Sequence, residues 1–232
     1  MAPAGAQFAS ADAVERALAS PARSLAHRLR DEQREPQGLF RAMNLKAGDA
    51  LLDVGAGGGY LAQIAIEIVG PTGRVDIHNT PGWIAQFPSM APEYLEAAFD
   101  GADSTYLVAP WDELAASENA YDAIVLGQVY HDVLLEGADI ETVNRNLFGM
   151  LKPGGTLVIE DHQADASMPI GKQVGLHRLN SDIVIELMEA AGFVLSSRDD
   201  IASEHDDLRF NVFRPNLRGR TSRYILAFRK PD

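Results

Sequence analysis

The sequence contains no cysteine. This absence excludes disulfides, thiolate metal ligands and cysteine nucleophiles, but it does not identify a cellular compartment. Long apolar runs are also missing, and none approaches the ~20 residues that span a bilayer. Residues 1–6 lack the basic start and apolar centre of a signal peptide. We therefore expect a cytoplasmic protein with no membrane contact, or a periplasmic one if a leader has been removed.

Positive charge is scarce outside the two ends of the chain. The 232 residues carry a net charge of −13, and residues 51–205 hold six Lys and Arg side chains against 24 Asp and Glu. A nucleic acid would be repelled over most of such a surface, so we expect no nucleic-acid partner. We interpret the basic tail as solvated or internally paired; its arginines include Arg209, Arg214, Arg218, Arg220 and Arg223.

Glycine is concentrated after one apolar run. Residues 50–54 read as a strand, Gly55, Gly57 and Gly59 follow within a tight turn, and residues 60–69 have a helical pattern. Glycine allows the backbone to approach a ligand closely, and a helix N-terminus offers unpaired N–H groups. We expect a polar or anionic ligand at this turn.

The rest of the chain alternates between strand and helix patterns. Strands are predicted at residues 74–78, 104–108, 121–127, 156–160, 193–198 and 222–229, and helices at 11–19, 21–34, 37–43, 60–69, 136–151 and 181–191. Ser20 is predicted to cap the second helix, and residues 1–10 to form a flexible arm. This alternation predicts an α/β fold with a doubly wound, mostly parallel sheet. Residues 1–48 are expected to cap the core or to pack on the sheet edge, and residues 49–232 to form the main domain.

A dinucleotide-binding site is one interpretation of the glycine turn. Counting from Gly55, however, Tyr60 stands where the third glycine of Gly-x-Gly-x-x-Gly belongs. Asp76 lies near the offset expected for a ribose-binding acid, although it falls in the middle of a strand. An oxidoreductase that uses NAD(P) therefore remains an alternative.

Three segments together resemble class I S-adenosylmethionine-dependent methyltransferases. They are Asp53-Val-Gly-Ala-Gly-Gly-Gly59, residues 121–132, and Leu151-Lys-Pro-Gly-Gly155 with the strand after it. A closer resemblance, carried by Arg34-Glu-Pro36, His131-Asp132, Asp161-His162 and residues 176–180 and 218–222, is to a poorly characterised bacterial group of predicted methyltransferases. The resemblance covers about residues 37–230. It implies a Rossmann-like seven-stranded sheet with an antiparallel closing hairpin, S-adenosylmethionine as cofactor, and a small-molecule O, N or S nucleophile as methyl acceptor.

The resemblance also implies which residues bind the cofactor. In the family the glycine turn passes under the methionine portion, and the acidic residue at the strand end, here Asp53, holds its amino group. Asn79 stands at the ribose position, and Trp111 either walls the adenine or belongs to the core. The complete predicted set is Asp53, Gly55, Gly57, Gly59, Tyr60, Asn79, Pro110, Trp111 and Gly127.

Histidines follow the strands at the expected site. His131 and Asp132 come after the fourth strand, His162 after the fifth, and His177 precedes a helix, so we predict that these four side chains are catalytic. Methyl transfer requires alignment of an in-line displacement, and His131 or His162 could act as general base. The milder alternatives are that His131 caps a helix, that Asp132 only orients it, and that His177 pairs with a nearby acid.

Two further alternatives stay open. His131, His162 and His177 with Asp161 could hold a divalent metal, but their spacing matches no standard ligand motif, and we assign no metal. The chain could also be a silent module that binds the cofactor without turnover. A homodimer is possible.

Overall fold

The computed structural model describes residues 11–99 and 101–232, and its described strands form one sheet. The strand order is β3-β2-β1-β4-β5-β7-β6. All neighbours pair in parallel except β7, which is antiparallel to both β5 and β6. This confirms the predicted fold class, including the closing hairpin. The strands are β1 (Ala50–Val54), β2 (Arg74–Asn79), β3 (Tyr106–Val108), β4 (Tyr121–Gly127), β5 (Leu151–His162), β6 (Val194–Ile201) and β7 (Arg223–Arg229).

Helices cover both faces of the sheet. They are α1 (Ala11–Ala19), α2 (Leu25–Arg28), α3 (Asp31–Arg34), α4 (Gln37–Met43), α5 (Tyr60–Val69), α6 (Pro81–Gln86), α7 (Pro92–Ala98), α8 (Tyr130–Leu135), α9 (Ile140–Met150), α10 (Ile170–Gly175) and α11 (Ser181–Ala190). Among the described residues, no helix combines the length and apolarity needed to cross a membrane.

The strand pleat sends successive side chains to opposite faces of the sheet. Leu51 packs with α1, α4 and α5, whereas Leu52 packs with α9 and α11. Both leucines are completely buried. The continuous apolar character of β1 and β4 therefore reflects burial on two faces, as expected for parallel strands.

The predicted helix over residues 21–34 is wrong. The segment forms the two short helices α2 and α3, and the cap of α2 is Ser24, whose Oγ accepts the His27 N–H at 3.2 Å. Ser20 instead accepts the Ala22 N–H at 3.2 Å. α3 ends at Glu35, whose φ of 47° is left-handed and cannot continue a helix. The predicted arm at residues 1–10 lies outside the described residues.

Two other predictions required correction. The helix predicted at 136–151 begins only at Ile140, because Gly137 is left-handed and Asp139 caps α9 by accepting the Glu141 N–H. α6, α8 and α10 were not predicted, and the segment of α6 had been interpreted as a loop. The fifth strand is longer than expected and starts at Leu151, which pairs with Tyr121 of β4, and the Gly154 N–H donates to the Lys230 carbonyl at 2.9 Å.

Candidate functional site

The carboxyl ends of β1, β2, β4 and β5 meet at one edge of the sheet, where ligands of open α/β sheets bind. The glycine turn follows β1, Asn79 ends β2, Gly127 ends β4 and His162 ends β5. Most of the predicted site residues are therefore brought to this edge, and α2 and α3 lie beside it.

The glycines of the turn have different reasons for lacking a side chain. A Cβ at Gly55 would lie 2.8 Å from the Trp111 ring, and one at Gly59 would lie 2.5 Å from Phe99. A Cβ at Gly57 would meet nothing closer than the Met90 Cε, at 3.7 Å. Packing therefore requires glycine at 55 and 59. At Gly57 the backbone, with a φ of +59°, faces open space that a ligand can fill.

His78 is a site residue that the sequence analysis missed. It is completely buried at the end of β2. Its Nδ1 accepts the Gly55 N–H at 3.3 Å, and its Nε2–H donates to the Ala109 carbonyl at 2.9 Å. Burial lowers the pKa of His78 to about 4, so the ring is neutral and bridges the glycine turn to the segment after β3. A histidine at the end of a predicted strand was the available signal.

Asn79 ends β2, where the ribose prediction places it, but its side chain is bonded to the glycine turn. Its Oδ1 accepts the Gly57 N–H at 2.8 Å, while its Nδ2 donates to the Gly57 carbonyl at 3.0 Å and the Met90 carbonyl at 3.1 Å. Both amide hydrogens are in use, so only the second lone pair of Oδ1 is left for a ribose hydroxyl. Asn79 mainly fixes the conformation of the glycine turn.

Asp53 carries an unsatisfied buried oxygen. The residue is 1% exposed, and its Oδ2 has no hydrogen-bond partner among the described residues. Burial raises the pKa of Asp53 to about 7, with a backbone hydrogen bond from Ala62 and the charge of Arg34 acting in the opposite direction. A carboxylate in this state suits a cationic ligand group such as the ammonium of a bound amino acid.

Asp76 is unavailable to a ligand at this edge. Its Oδ1 accepts the Thr105 N–H at 3.0 Å, and its Oδ2 accepts the Tyr121 hydroxyl at 2.7 Å. It lies inside the sheet with 3% of its surface exposed. The ribose-binding acid of the dinucleotide interpretation is thus absent from this position.

Trp111 is part of the core and lies against Gly55. It is 3% exposed, and its Nε1–H donates to Glu136 Oε2 at 2.8 Å. Trp83 donates to the other oxygen of the same carboxylate. The two indoles meet edge to face at 5.3 Å. Pro110 directly precedes Trp111 at the end of the segment after β3.

Tyr60 and Gly127 contribute to the packing of neighbouring elements at the site. The Tyr60 hydroxyl donates to Asp31 Oδ1 at 2.9 Å, and Asp31 also accepts two hydrogen bonds from Arg23. This contact joins α3 to the start of α5. A Cβ at Gly127 would lie 2.5 Å from Leu61, so this glycine allows α5 to approach β4.

A cationic pocket opens at the same edge, between α3 and the segment before β7. This arginine pocket has a volume of about 450 Å³ and is lined by Arg30, Gln33, Arg34, Gln128, His162, Val212, Phe213, Arg218, Gly219, Thr221 and Arg223. Glu160 neutralises part of its charge through Arg34 at 3.2 Å and Arg223 at 2.7 Å. Among the described residues, Arg30 and Arg218 make no ion pair. Burial, together with Arg34 and Arg218, lowers the pKa of Arg30.

His162 lines the arginine pocket and is neutral. Burial, followed by the positive charges of His131 and Arg178, lowers its pKa well below the ordinary value. Its Nδ1 lies 2.9 Å from the Thr221 hydroxyl. If Nδ1 donates this hydrogen bond, Nε2 carries a lone pair that can accept a proton.

The other two histidines that were predicted to be catalytic, His131 and His177, form a separate cluster with two aspartates. This histidine cluster comprises His131, Asp132, Asp161 and His177. His131 Nδ1 lies 2.7 Å from Asp161 Oδ1, and its Nε2 lies 3.2 Å from Asp132 Oδ1 and 3.3 Å from His177 Nδ1. Burial alone would lower the pKa of His131, but Asp161 and Asp132 outweigh it and raise this pKa to about 10. His131 is therefore no neutral base at pH 7.

A larger cavity of about 870 Å³ lies elsewhere, along α5 and the residues that lead into β2. Its lining includes Val69, Gly70 and Gly73. These residues stand at the amino end of β2, opposite the edge where such sheets bind ligands. The candidate functional site is therefore the glycine turn together with the arginine pocket.

This strand order, the antiparallel β7 and the glycine turn after β1 define a methyltransferase-type α/β domain. Comparison with known proteins agrees, because the profile of the family described as "Methyltransferase domain" matches residues 52–159. Over this segment the chain is similar to S-adenosylmethionine-dependent methyltransferases, as its motifs predicted.

Individual relatives share this fold. A protein-L-isoaspartate O-methyltransferase from Methanococcus aeolicus is 31% identical over 156 residues, which are 66% of this chain and 62% of the relative, so the match spans less than two thirds of that protein. A methyltransferase structure from Aquifex aeolicus has a TM-score of 0.62 at 16% identity and covers 94% of this chain and 98% of its own. A phosphoethanolamine N-methyltransferase from Haemonchus contortus, solved with S-adenosyl-L-methionine, has a TM-score of 0.57 at 18% identity and covers 84% of this chain and 51% of its own.

Proposed function

We propose that the protein transfers a methyl group from S-adenosylmethionine to a small molecule that carries an anionic group. The observation that carries this proposal is the arginine pocket at the carboxyl edge of a methyltransferase sheet, next to the glycine turn. The cofactor would supply an electrophilic methyl group on a sulfonium. The residues described above would orient both partners and exclude water.

The glycine turn and Asp53 support binding of this cofactor. Asp53 Oδ2 is buried without a partner and would pair with the ammonium of the methionine portion. Gly57 has room for close approach of a ligand. Asp76 is occupied inside the sheet, which argues against a nicotinamide dinucleotide.

The charge of the arginine pocket supports an anionic acceptor. Four arginines line it; Glu160 pairs with Arg34 and Arg223, and the exposed Glu35 also pairs with Arg223. Arg30 and Arg218 are not paired with an acid among the described residues, and such guanidinium groups match a carboxylate or phosphate. In a chain of net charge −13, this local excess of positive charge is selective for an anion.

The proposed reaction is an in-line displacement. The nucleophilic O, N or S atom of the acceptor forms a bond to the methyl carbon while the carbon–sulfur bond breaks, which leaves S-adenosylhomocysteine. If the nucleophile is protonated, its proton passes to His162 Nε2. His162 suits this role because it lines the pocket and is neutral, whereas His131 is protonated and bonded on both ring nitrogens.

The cofactor is tested by calorimetric titration with S-adenosylmethionine, S-adenosylhomocysteine and NADH. We expect binding of the two adenosyl ligands and none of NADH. Binding of NADH alone would contradict the proposal. Binding of the adenosyl ligands without turnover on any acceptor would favour a silent binding module.

The anionic acceptor is tested by thermal melting in inorganic phosphate, with sodium chloride at matched ionic strength as reference. A ligand at ten times its Kd stabilises by about 1.4 kcal/mol, or about 3–6 °C for a chain of this size. We expect such a shift for the wild type and a much smaller one for Arg218→Gln, whose side chain faces the pocket. Arg41→Gln, at an exposed position of α4, is the control. Equal shifts in phosphate and chloride would count against an anion site.

A second candidate acceptor is a carboxylate on a protein. The Methanococcus aeolicus relative is by name a protein-L-isoaspartate O-methyltransferase. The arginine pocket would also accept an isoaspartyl carboxylate. A methylation assay with an isoaspartyl peptide, beside a panel of small carboxylates and phosphates, separates the two acceptors.

A further inference from the structure

We propose that His131, Asp132 and His177 bind a divalent transition-metal ion at the back of the arginine pocket. His131 and Asp132 lie in α8, and His177 lies in the turn after α10. The role given to the ion below rests on the proposed methyl transfer, but the site itself is argued from the described side chains alone.

The three candidate ligand atoms form a nearly equilateral triangle. His131 Nε2 is 3.2 Å from Asp132 Oδ1 and 3.3 Å from His177 Nδ1, and the last two atoms are 3.3 Å apart. Ligands about 2.0–2.1 Å from a tetrahedral ion must be about 3.3–3.4 Å from one another. The observed separations agree with this requirement at all three edges of the triangle.

Hydrogen bonds alone explain the triangle poorly. Each edge joins atoms that carry lone pairs when the imidazoles are neutral, and each ring nitrogen has at most one proton. If His131 Nε2 and His177 Nδ1 each donate a proton to Asp132 Oδ1, the third edge brings two N–H groups to 3.3 Å from each other, and an ion would displace both of these protons. An ion in the centre would bind a lone pair from each atom at once.

The buried ligand has the support that metal-binding histidines usually have. His131 Nδ1 is bonded to Asp161 Oδ1 at 2.7 Å, which leaves Nε2 as the ring nitrogen close to Asp132 and His177. Asp161 is itself held by the backbone N–H groups of His131 at 2.9 Å and His162 at 2.7 Å. A carboxylate behind the ligating histidine fixes the ring orientation and tautomer.

His177 reaches the cluster through an unusual backbone conformation. Its φ is 54°, in the left-handed region that residues with a side chain seldom adopt. The neighbouring Arg178 is completely buried and makes two hydrogen bonds to Asp206, which secures the turn. The fold thus maintains a costly conformation that directs His177 Nδ1 toward His131.

The donor set indicates the kind of ion. Two imidazole nitrogens and one carboxylate oxygen suit Zn²⁺, Fe²⁺, Co²⁺ or Mn²⁺ better than Ca²⁺ or Mg²⁺, which prefer oxygen ligands. Three protein ligands leave at least one position for a substrate atom. His162 is left out of the ligand set, because only His131, Asp132 and His177 bring their ligand atoms together among the described residues.

The cluster adjoins the arginine pocket. The His131 ring is 6.2 Å from the His162 ring, and the His177 ring is 4.8 Å from that of Phe213. His162 and Phe213 both line the pocket. If the proposed methyl transfer is correct, the ion would bind an oxygen or nitrogen atom of the acceptor and hold it for attack.

The test is a titration of chelator-treated, full-length protein with Co²⁺, followed by visible absorption and calorimetry, with no S-adenosylmethionine present. We expect one equivalent to bind with a d–d absorption band, and Zn²⁺ to displace it. Loss of an outer-shell partner alone costs about 10–100-fold in metal affinity, so His177→Asn and Asp132→Asn should each weaken binding at least about tenfold. His205→Asn, at an exposed histidine, is the matched control and should change nothing.

Two outcomes would overturn the proposal. One is the absence of stoichiometric binding in the wild type; the other is equal affinity in the wild type, His177→Asn and Asp132→Asn, which would indicate adventitious binding. Asparagine tolerates the left-handed conformation at position 177, and a melting curve of each variant confirms that it is folded. Because no cofactor is present, failure here leaves the proposed methyl transfer standing, and failure of cofactor binding leaves the metal site standing.

Discussion

Replacing Gly57 with alanine is expected to weaken S-adenosylmethionine binding by about 10–100-fold, which corresponds to about 1.4–2.7 kcal/mol. The new methyl group would occupy the space beside Gly57 in which the cofactor is proposed to lie. In the free protein it would clash with nothing, because the nearest atom of the described residues, Met90 Cε, is 3.7 Å away. A non-glycine residue at positive φ costs roughly 1–2 kcal/mol of stability. The variant should therefore fold but bind poorly, as measured by calorimetry.

Gly48→Ala is the matched control for this strain. Gly48 has a φ of +86°, and its added Cβ would lie 3.6 Å from Thr72. It stands before β1, at the sheet edge opposite the glycine turn. The two variants should melt at similar temperatures, and only Gly57→Ala should lose affinity. Equal affinity in both would show that the cofactor does not pass along Gly57.

Replacing Asp53 with asparagine is expected to change stability in a pH-dependent way. The pKa of Asp53 is about 7 in the folded protein against 3.8 for the ordinary value. Between these values the folded state binds more protons than the unfolded state, so this group makes the wild type less stable as pH rises from about 4 to about 7. At 1.36 kcal/mol per pKa unit, the loss approaches about 4 kcal/mol above pH 7.

The asparagine variant lacks this pH-dependent loss. Its free energy of unfolding relative to the wild type should rise by up to about 4 kcal/mol between pH 4 and pH 8, measured by urea denaturation. A constant cost for the buried amide is removed by taking the difference between the two pH values. The same variant should lose affinity for S-adenosylmethionine, because the ammonium loses its carboxylate. A flat difference across this pH range would contradict the pKa of Asp53 and its proposed role.

The parts of the fold that depend on local patterns could be predicted from the sequence. The helix of residues 60–69 was predicted with its observed bounds, since a glycine turn precedes it and Gly70 ends it. The break between α2 and α3 was not predictable in this way, because it depends on the contact of Asp31 with Arg23 and Tyr60. That contact exists only after the segment has packed on α5.

The residues of the candidate site also divide into those whose placement could be predicted and those whose contacts could not. The placement of Asp53, His131 and His162 at one edge follows from their positions at or after the ends of predicted strands. The bonds of Asn79 to Gly57 and Met90 do not follow, because an amide at a strand end can equally face a ligand or the backbone. The pairing of His131 with His177 depends on the left-handed conformation of His177 after α10, which no sequence pattern predicted.

The arginine pocket is lined largely by segments outside the central strands. Arg30, Gln33 and Arg34 come from the N-terminal helices, and Arg218 and Arg223 come from the segment that enters β7. Asp53 belongs to β1, His78 belongs to β2, and the glycine turn directly follows β1. If the proposed methyl transfer is correct, acceptor choice and methyl-donor chemistry are encoded largely in different stretches of the gene. A library that diversifies Arg30, Gln33 and Arg218 is then expected to alter which compounds are methylated while Asp53 and the glycine turn are kept, which would make this protein a practical starting scaffold for new alkylation catalysts.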